Sequence, residues 1–275
     1  MVLSVLIKYP FQTKKGNKNF FEKKDQELTN LDWAKWAGWY DTDGWFSTLK
    51  TKTKLGTSFL MKEACLYLRD RQPVELFSKT FETSLVYREH KTWTPEPYRY
   101  EYICIEHMGK LSGEKAVWFT KNVFPYLMKQ EKKDFAAKLL GYRPESKDLT
   151  TWTADELTYY LATTMEGDGY FAVRCNLRKK TKHLDIKLAS SDVQYLSDIK
   201  YIAENKLKLI PTLHEKSTYK TQKGIRTKYT LNFSGSRKNP NNLGFFQSLL
   251  KDGVMTLDRK KQRVQEFLGQ AWGAK

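Results

Sequence analysis

Cysteine and histidine are scarce. Three cysteines (Cys65, Cys104, Cys175) and four histidines (His90, His107, His183, His214) are scattered over 275 residues. The cysteines are odd in number and never spaced CxxC, which argues against a disulfide framework or a finger-type zinc site and makes a reducing compartment the expectation. No run of about 18 apolar residues exists, so no membrane span is expected. The apolar opening MVLSVLIKYP is short, lacks a small-residue cleavage site and does not read as a signal peptide. No Ser/His/Asp set and no glycine-rich phosphate loop stands out, so two common enzyme designs are without support.

Positive charge is what the chain has in excess. Lys and Arg number 48 against 31 Asp and Glu, a net charge of +17. At 40% hydrophobic and 14% aromatic residues the chain can still bury a core, so it is not a disordered basic tail. A polyanionic partner is expected, with nucleic acid ahead of an anionic membrane surface. Residues 1–143 hold 25 basic and 17 acidic side chains, net +8, and residues 144–275 hold 23 and 14, net +9. Such an even division points to two similar basic modules.

An internal repeat bears this out in the sequence. WAGWYDTDG (36–44) and LATTMEGDG (161–169) align with Asp43 on Asp168, an offset of 125. EKKDFAAKLLG (131–141) aligns with RKKQRVQEFLG (259–269) at an offset of 128. The predicted domains are an N-terminal extension over 1–27, serving as an arm or a lead, a first domain over 28–143, a linker over 144–152 and a second domain over 153–275.

Hydrophobic periodicity predicts the same order of elements in each copy. Copy one reads as a helix near 29–43, strands over 45–55 and 58–68, a helix over 73–83, strands over 85–91 and 98–106, and a helical stretch over 114–140 broken near Pro125. In copy two, Thr153-Ala-Asp-Glu156 is a capping box opening a helix that runs to Gly169. Strands follow over 170–177 and 184–188, then a helix over 192–205, strands over 207–214 and 225–234 around a hairpin loop over 217–224, and closing helices. The predicted fold is α+β: two αββαββα domains, each a four-stranded antiparallel sheet with helices on one face. The uncovered faces, lined by Arg, Lys, Asn and Thr, suit a saddle on duplex nucleic acid.

The two acid–Gly motifs resemble the two copies of the motif that names the LAGLIDADG homing endonucleases, and the chain from about residue 28 resembles their single-chain form. The resemblance implies two motif helices packed side by side across a pseudo-twofold axis, with small residues Ala34, Ala37, Gly38, Ala162 and Gly167 allowing close approach. Thr163 stands where the family carries Gly. It implies that Asp43 and Asp168 bind the metal, Mg²⁺ in the first instance, with Mn²⁺ or Ca²⁺ able to substitute for binding. The implied reaction is hydrolysis of both DNA strands, leaving short 3′ overhangs. Asp41 and Glu166 are read as supporting the helix ends. Basic residues near the last helix of each domain are expected at the scissile phosphates: Lys132 and Lys260 first, with Lys133, Lys261, Lys129 and Gln130 beside them.

Alternate strand positions supply the expected DNA readers. These are Arg174, Asn176, Arg178, Lys187, Lys228 and Thr230 in copy two; in copy one the resemblance puts Ser47, Leu49, Thr51 and Thr53 on the DNA-facing phase, counting from Asp43. Lys52 joins them only if a bulge shifts the register. Trp33, Trp36 and Trp39, at i, i+3 and i+6, read as core. The expected partner is a long duplex, pseudo-palindromic or asymmetric, bound by a monomer with internal pseudo-twofold symmetry. Alternatives are an RNA-binding intron maturase and an inactive DNA-binding regulator on the same scaffold. The absence of intein splicing blocks points to an intron-encoded or freestanding protein. An organelle, or a bacterial or phage-infected cytoplasm, is the expected setting.

Overall fold

The computed structural model describes residues 14–52, 56–93, 101–176, 181–221, 224–235 and 240–269. Its first elements are α1 (Lys14–Glu27), α2 (Asn30–Thr42), β1 (Gly44–Lys52), β2 (Ser58–Leu68), α3 (Arg71–Thr80), β3 (Leu85–Trp93), β4 (Glu101–Ser112), α4 (Glu114–Val123) and α5 (Gln130–Leu140). They are followed by α6 (Ala154–Asp168), β5 (Gly169–Asn176), β6 (Thr181–Ser190), α7 (Val193–Leu207), β7 (Thr212–Thr221), β8 (Gly224–Gly235), α8 (Pro240–Leu249) and α9 (Asp258–Leu268). From α2 onward one order of elements runs twice. Each run builds a four-stranded antiparallel sheet, β1-β2-β4-β3 and β5-β6-β8-β7. The α+β class is as expected, and so are the break near Pro125, which parts α4 from α5, and the closing helices α8 and α9.

The elements divide into two compact units. One takes the described residues of Met1–Leu28 with Asp43–Phe124 and Lys132–Pro144; the other takes Thr29–Thr42, Pro125–Glu131 and the described residues of Glu145–Lys275. The first-motif helix α2 therefore belongs to the unit that holds α6.

Each sheet buries one face against helices of its own unit, and strand alternation decides which. In the first, Phe46, Ala64, Leu66 and Leu111 are buried on one phase. Gly109 on that phase lies under the Phe77 ring of α3, where a Cβ would come within 2.5 Å of the ring. In the second, Leu184, Ile186, Leu188, Leu231 and Phe233 are at most 1% exposed. Gly235 there admits the Phe246 ring of α8 in the same way.

Several boundaries differ from expectation for local reasons. Residues 14–27 of the extension form a helix that packs rather than trails. Phe20 is buried and meets Trp118 edge-on at 5.7 Å, while Trp118 Nε1 donates to Asp25 at 2.9 Å. The strand expected over 207–214 starts only at Thr212. Helix α7 continues to Leu207 and ends on Lys208 in the left-handed region at φ 56°, with Leu209 N donating back to Ala203 O. The loop expected over 217–224 is largely strand, because β7 and β8 pair as far as Thr221 with Gly224. The capping box of α6 is present, Thr153 and Glu156 each accepting from the other's backbone N–H. Among the described residues no helix is long and apolar enough to cross a membrane.

Candidate functional site

Helices α2 and α6 are packed together within one unit, and every residue of α2 from Trp33 to Asp41 is buried. Close approach centres on Gly38: a Cβ there would stand 2.2 Å from Thr163 Oγ1 and 2.5 Å from Tyr160 O. Thr163 turns its hydroxyl across the seam and donates to Lys35 O at 2.9 Å. One glycine at the crossing suffices, and the threonine converts the second position into an interhelical hydrogen bond. Trp33, Trp36 and Trp39 are all core. So are Cys65 and Cys104; the Cys175 side chain lies outside the described residues.

The first acid of each motif clamps backbone. Asp41 Oδ2 accepts from Met128 N at 2.7 Å and from the Tyr160 hydroxyl at 2.6 Å, and Oδ1 accepts from Lys129 N at 3.2 Å. Glu166 Oε1 accepts from Thr256 N at 2.6 Å and also from Leu257 N. Asp41 matches Glu166 at the motif offset of 125, and the two backbone donors of each match at 128, so the repeat reproduces the backbone clamp as well as the residues. Burial pushes the Asp41 carboxyl up to about 6 against the pull of these donors, and Glu166 up to about 7. Both serve the helix-end network, as read from the sequence.

The second acids stand at the helix-to-strand junctions. Asp43 is the turn residue between α2 and β1, and Asp168 is the last residue of α6. Gly169 must follow, since a Cβ there would meet Met165 O at 2.2 Å. Asp168 is partly exposed, with its side chain 34% accessible, and Lys129 Nζ lies 3.0 Å from its Oδ2. The Lys129 ammonium also sits 4.8 Å from the centre of the Tyr195 ring, a cation–π contact that fixes its position.

The two lysines placed first by sequence do something else. Lys260 Nζ, on a residue 5% exposed, donates to Met165 O and Gly169 O at 2.9 Å each and to Glu166 O. It closes the carbonyl end of α6, where a cation is favoured by unpaired carbonyls and the helix dipole. Lys132 Nζ donates to Gly44 O, the repeat-matched carbonyl. Lys129 is a basic group beside the second-motif acid Asp168. Its repeat mate at the offset of 128 is Leu257, so matching the copies hides it.

The donor set bears on a cation. Carboxylate oxygens are hard ligands, and among the described residues no group of three or more His, Cys, Asp or Glu converges. Carboxylate oxygens of this kind suit a hard divalent cation such as Mg²⁺. Asp168, partly exposed and already facing a cationic group, fits such an ion.

Strand register sorts the expected DNA readers. β5 and β6 pair Phe171 with Ile186 and Val173 with Leu184 on the buried phase. Tyr170, Ala172, Arg174, Asp185 and Lys187 therefore share the opposite face, together with Lys228, Thr230 and Asn232 of β8. Arg174 is exposed, while Lys187 and Lys228 are half-buried. Thr230 is corrected: it is 7% exposed, sunk among its neighbours on that face. Asn176 falls on the same phase by register, though its side chain, with Arg178 and Thr53, lies outside the described residues. In the first sheet β1 and β2 pair without interruption from Gly44 to Lys52. No bulge shifts the register, so Ser47 and Thr51 face away from the core and Lys52 is corrected to the phase of Phe46. Sequence reasoning missed Tyr170, 66% exposed beside Lys187, and the buried acids on these faces.

Neither a protein-family model nor a curated protein matches the chain. Among solved structures it is similar to the I-SmaMI LAGLIDADG homing endonuclease bound to cleaved DNA, at 13% identity over 88% of each chain with a TM-score of 0.48. It is also similar to the LAGLIDADG meganuclease I-AabMI bound to uncleaved DNA, at 11% identity over 88% of this chain and 90% of that one, TM-score 0.47. A third is the LAGLIDADG homing endonuclease I-GzeII in complex with its DNA target, at 13% identity over 87% and 84%, TM-score 0.46.

Proposed function

We propose that the protein is a sequence-specific double-strand DNA endonuclease of the homing type, built on the LAGLIDADG plan. The observation that carries this is the duplicated junction: a buried clamping acid, then Asp43 or Asp168, then a glycine that opens a sheet with one face turned from its helices. A net charge of +17 supplies attraction to a polyanion, and the uncovered sheet faces supply side chains for base edges.

Asp43 and Asp168, each at its own junction, would bind divalent cation, Mg²⁺ with Mn²⁺ or Ca²⁺ as substitutes for binding, which when bound activates water and offsets charge on the phosphate. Asp41 and Glu166 hold the helix ends by gripping the backbone ahead of α5 and α9. Lys129, pinned between Asp168 and Tyr195, offers a positive charge for the phosphate at that junction. Lys132 and Lys260 keep the junction carbonyls in place. The product carries short 3′ overhangs, and the protein acts as an intron-encoded monomer on a long, pseudo-palindromic or asymmetric target.

The test is incubation with Mg²⁺ and a library of random duplexes. Specific double-strand cleavage is expected, lost in Asp43→Asn and in Asp168→Asn while binding persists. Undiminished cleavage by both variants would overturn the site. Absence of cleavage together with tight binding to an intron RNA would overturn the function in favour of a maturase.

A further inference from the structure

Each sheet carries a buried acid on the face turned away from its helices. In the second sheet it is Asp185, 7% exposed, and in the first it is Glu63, 6% exposed. The two occupy equivalent places. Asp185 lies on an inner strand opposite Ala172 and Ser234, and Glu63 lies on an inner strand opposite Ser47 and Ser112. The cross-strand neighbours of both acids are small. Each carboxylate binds a basic side chain: Arg174 Nε at 2.9 Å from Asp185 Oδ2, and Lys110 Nζ at 2.9 Å from Glu63 Oε1.

A negative charge in the middle of a face meant for a polyanion needs a physical reason. Reading cytosine directly, as an exposed Asp or Glu can, is ruled out by the burial of both acids and their engagement with a cation. Stability is a weak reason. An ion pair whose basic partner is as exposed as Arg174, with 61% of its side chain accessible, contributes little, and burying the acid opposes it. Orientation is the reason that remains. Asp185 takes the Nε edge of the guanidinium, and the two terminal amino groups, Nη1 and Nη2, are the pair that can donate bidentately to guanine O6 and N7.

We infer that Asp185 is a positioning residue that holds Arg174 as a guanine reader, and that Glu63 does the same service for Lys110 in the other sheet. The inference rests on the proposed DNA-binding function and adds the base that one named side chain recognises. Because one arginine is locked to one place on the face, its preference should be confined to one position of the target. Loss of the lock should relax that position and no other. Removing a buried negative charge should at the same time leave the salt-dependent affinity for any duplex equal or greater.

The experiment uses duplexes selected by the wild-type protein from a random library, then every single-base substitution of the winning sequence, with binding measured in Ca²⁺ by fluorescence anisotropy. Wild type should show a guanine whose replacement weakens binding on the order of ten- to a hundredfold. Asp185→Asn should flatten that position on the order of tenfold and leave the others unchanged, and Arg174→Lys, a change on an exposed side chain, should flatten the same one. A profile unchanged in Asp185→Asn, a uniform loss at all positions, or different positions flattened by the two variants would overturn the inference while leaving the DNA-binding function standing. Should Asp185→Asn fail to fold, Arg174→Lys alone decides: no flattened guanine overturns it. Failure of the wild type to select any duplex would overturn the proposed function and this inference with it.

Discussion

Replacing Gly38 by alanine tests the close approach of α2 to α6. The added methyl would stand 2.2 Å from Thr163 Oγ1, 2.5 Å from Tyr160 O and 3.1 Å from Thr164 Oγ1. The threonines can rotate about χ1, but the Tyr160 carbonyl moves only with the α6 backbone. Restoring an ordinary contact of about 3.4 Å to that oxygen requires about 0.9 Å of separation, which loosens the packed seam. Overpacking of this kind costs about 1–3 kcal/mol. Turning Thr163 away also breaks its hydrogen bond to Lys35 O, about 1 kcal/mol more. Alanine's better helix propensity offsets about 1 kcal/mol. The net loss is about 2 kcal/mol, a fall in Tm of about 4–8 °C for a chain of this size. The assay is thermal unfolding followed by circular dichroism. Gly244→Ala is the control, because Gly244 sits within α8 with nothing near its absent Cβ; that variant keeps only the propensity gain and melts at or above wild type. Thr163→Ala in the Gly38→Ala background should recover part of the loss and no more, since the carbonyl contact persists. A Gly38→Ala protein that melts with wild type would refute the packing account.

Glu166 has its carboxyl raised by burial from an ordinary 4.5 to about 7, so the folded state holds a proton that the unfolded state releases between those values. This contribution to stability is therefore greatest below about pH 4.5, falls as pH rises to about 7 and is flat above, a span of about 3 kcal/mol. Glu166→Gln should remove that slope in urea unfolding at pH 4.5 and 7.5; an unchanged difference between the two pH values would contradict it. Lys260→Met should destabilise by about 3 kcal/mol, leaving carbonyls at the end of α6 without their buried cation, whereas Lys132→Met, which removes a less buried ammonium, should cost less; the same urea midpoints check the order. Lys129→Met should slow cleavage about tenfold to a hundredfold with binding retained, and single-turnover rates equal to wild type would refute its placement at Asp168.

Much of the fold was legible because its signals are local. Strand β2 is bounded by Ser58 and Leu68 as periodicity predicts, with Ala64, Leu66 and Leu68 buried on the one face read for them. The capping box at Thr153 needs only four residues and is present. Errors fall where a local signal is weak. Ser217-Thr-Tyr-Lys-Thr reads as loop by composition, yet pairing with β8 draws it into the sheet. The extension up to Glu27 shows no strong pattern, and α1 is recognisable only once Phe20 and Asp25 are seen against Trp118.

The sequence by itself determined the duplication, the places of Asp43 and Asp168, the core role of three tryptophans and the phase of most strand residues, because each of these is a matter of spacing along one chain. Tertiary structure decided the partners. Lys129 lies 39 residues from Asp168 and meets it at 3.0 Å. Asp41 grips amides 87 and 88 residues away, and Thr163 answers a carbonyl 128 residues distant. Lys260, read as a group for phosphate, is instead enclosed by the carbonyls of a helix end. Spacing specifies which face a side chain is on, but a hydrogen bond depends on the register and separation of two surfaces brought together from far apart, and that is settled only when the whole chain packs.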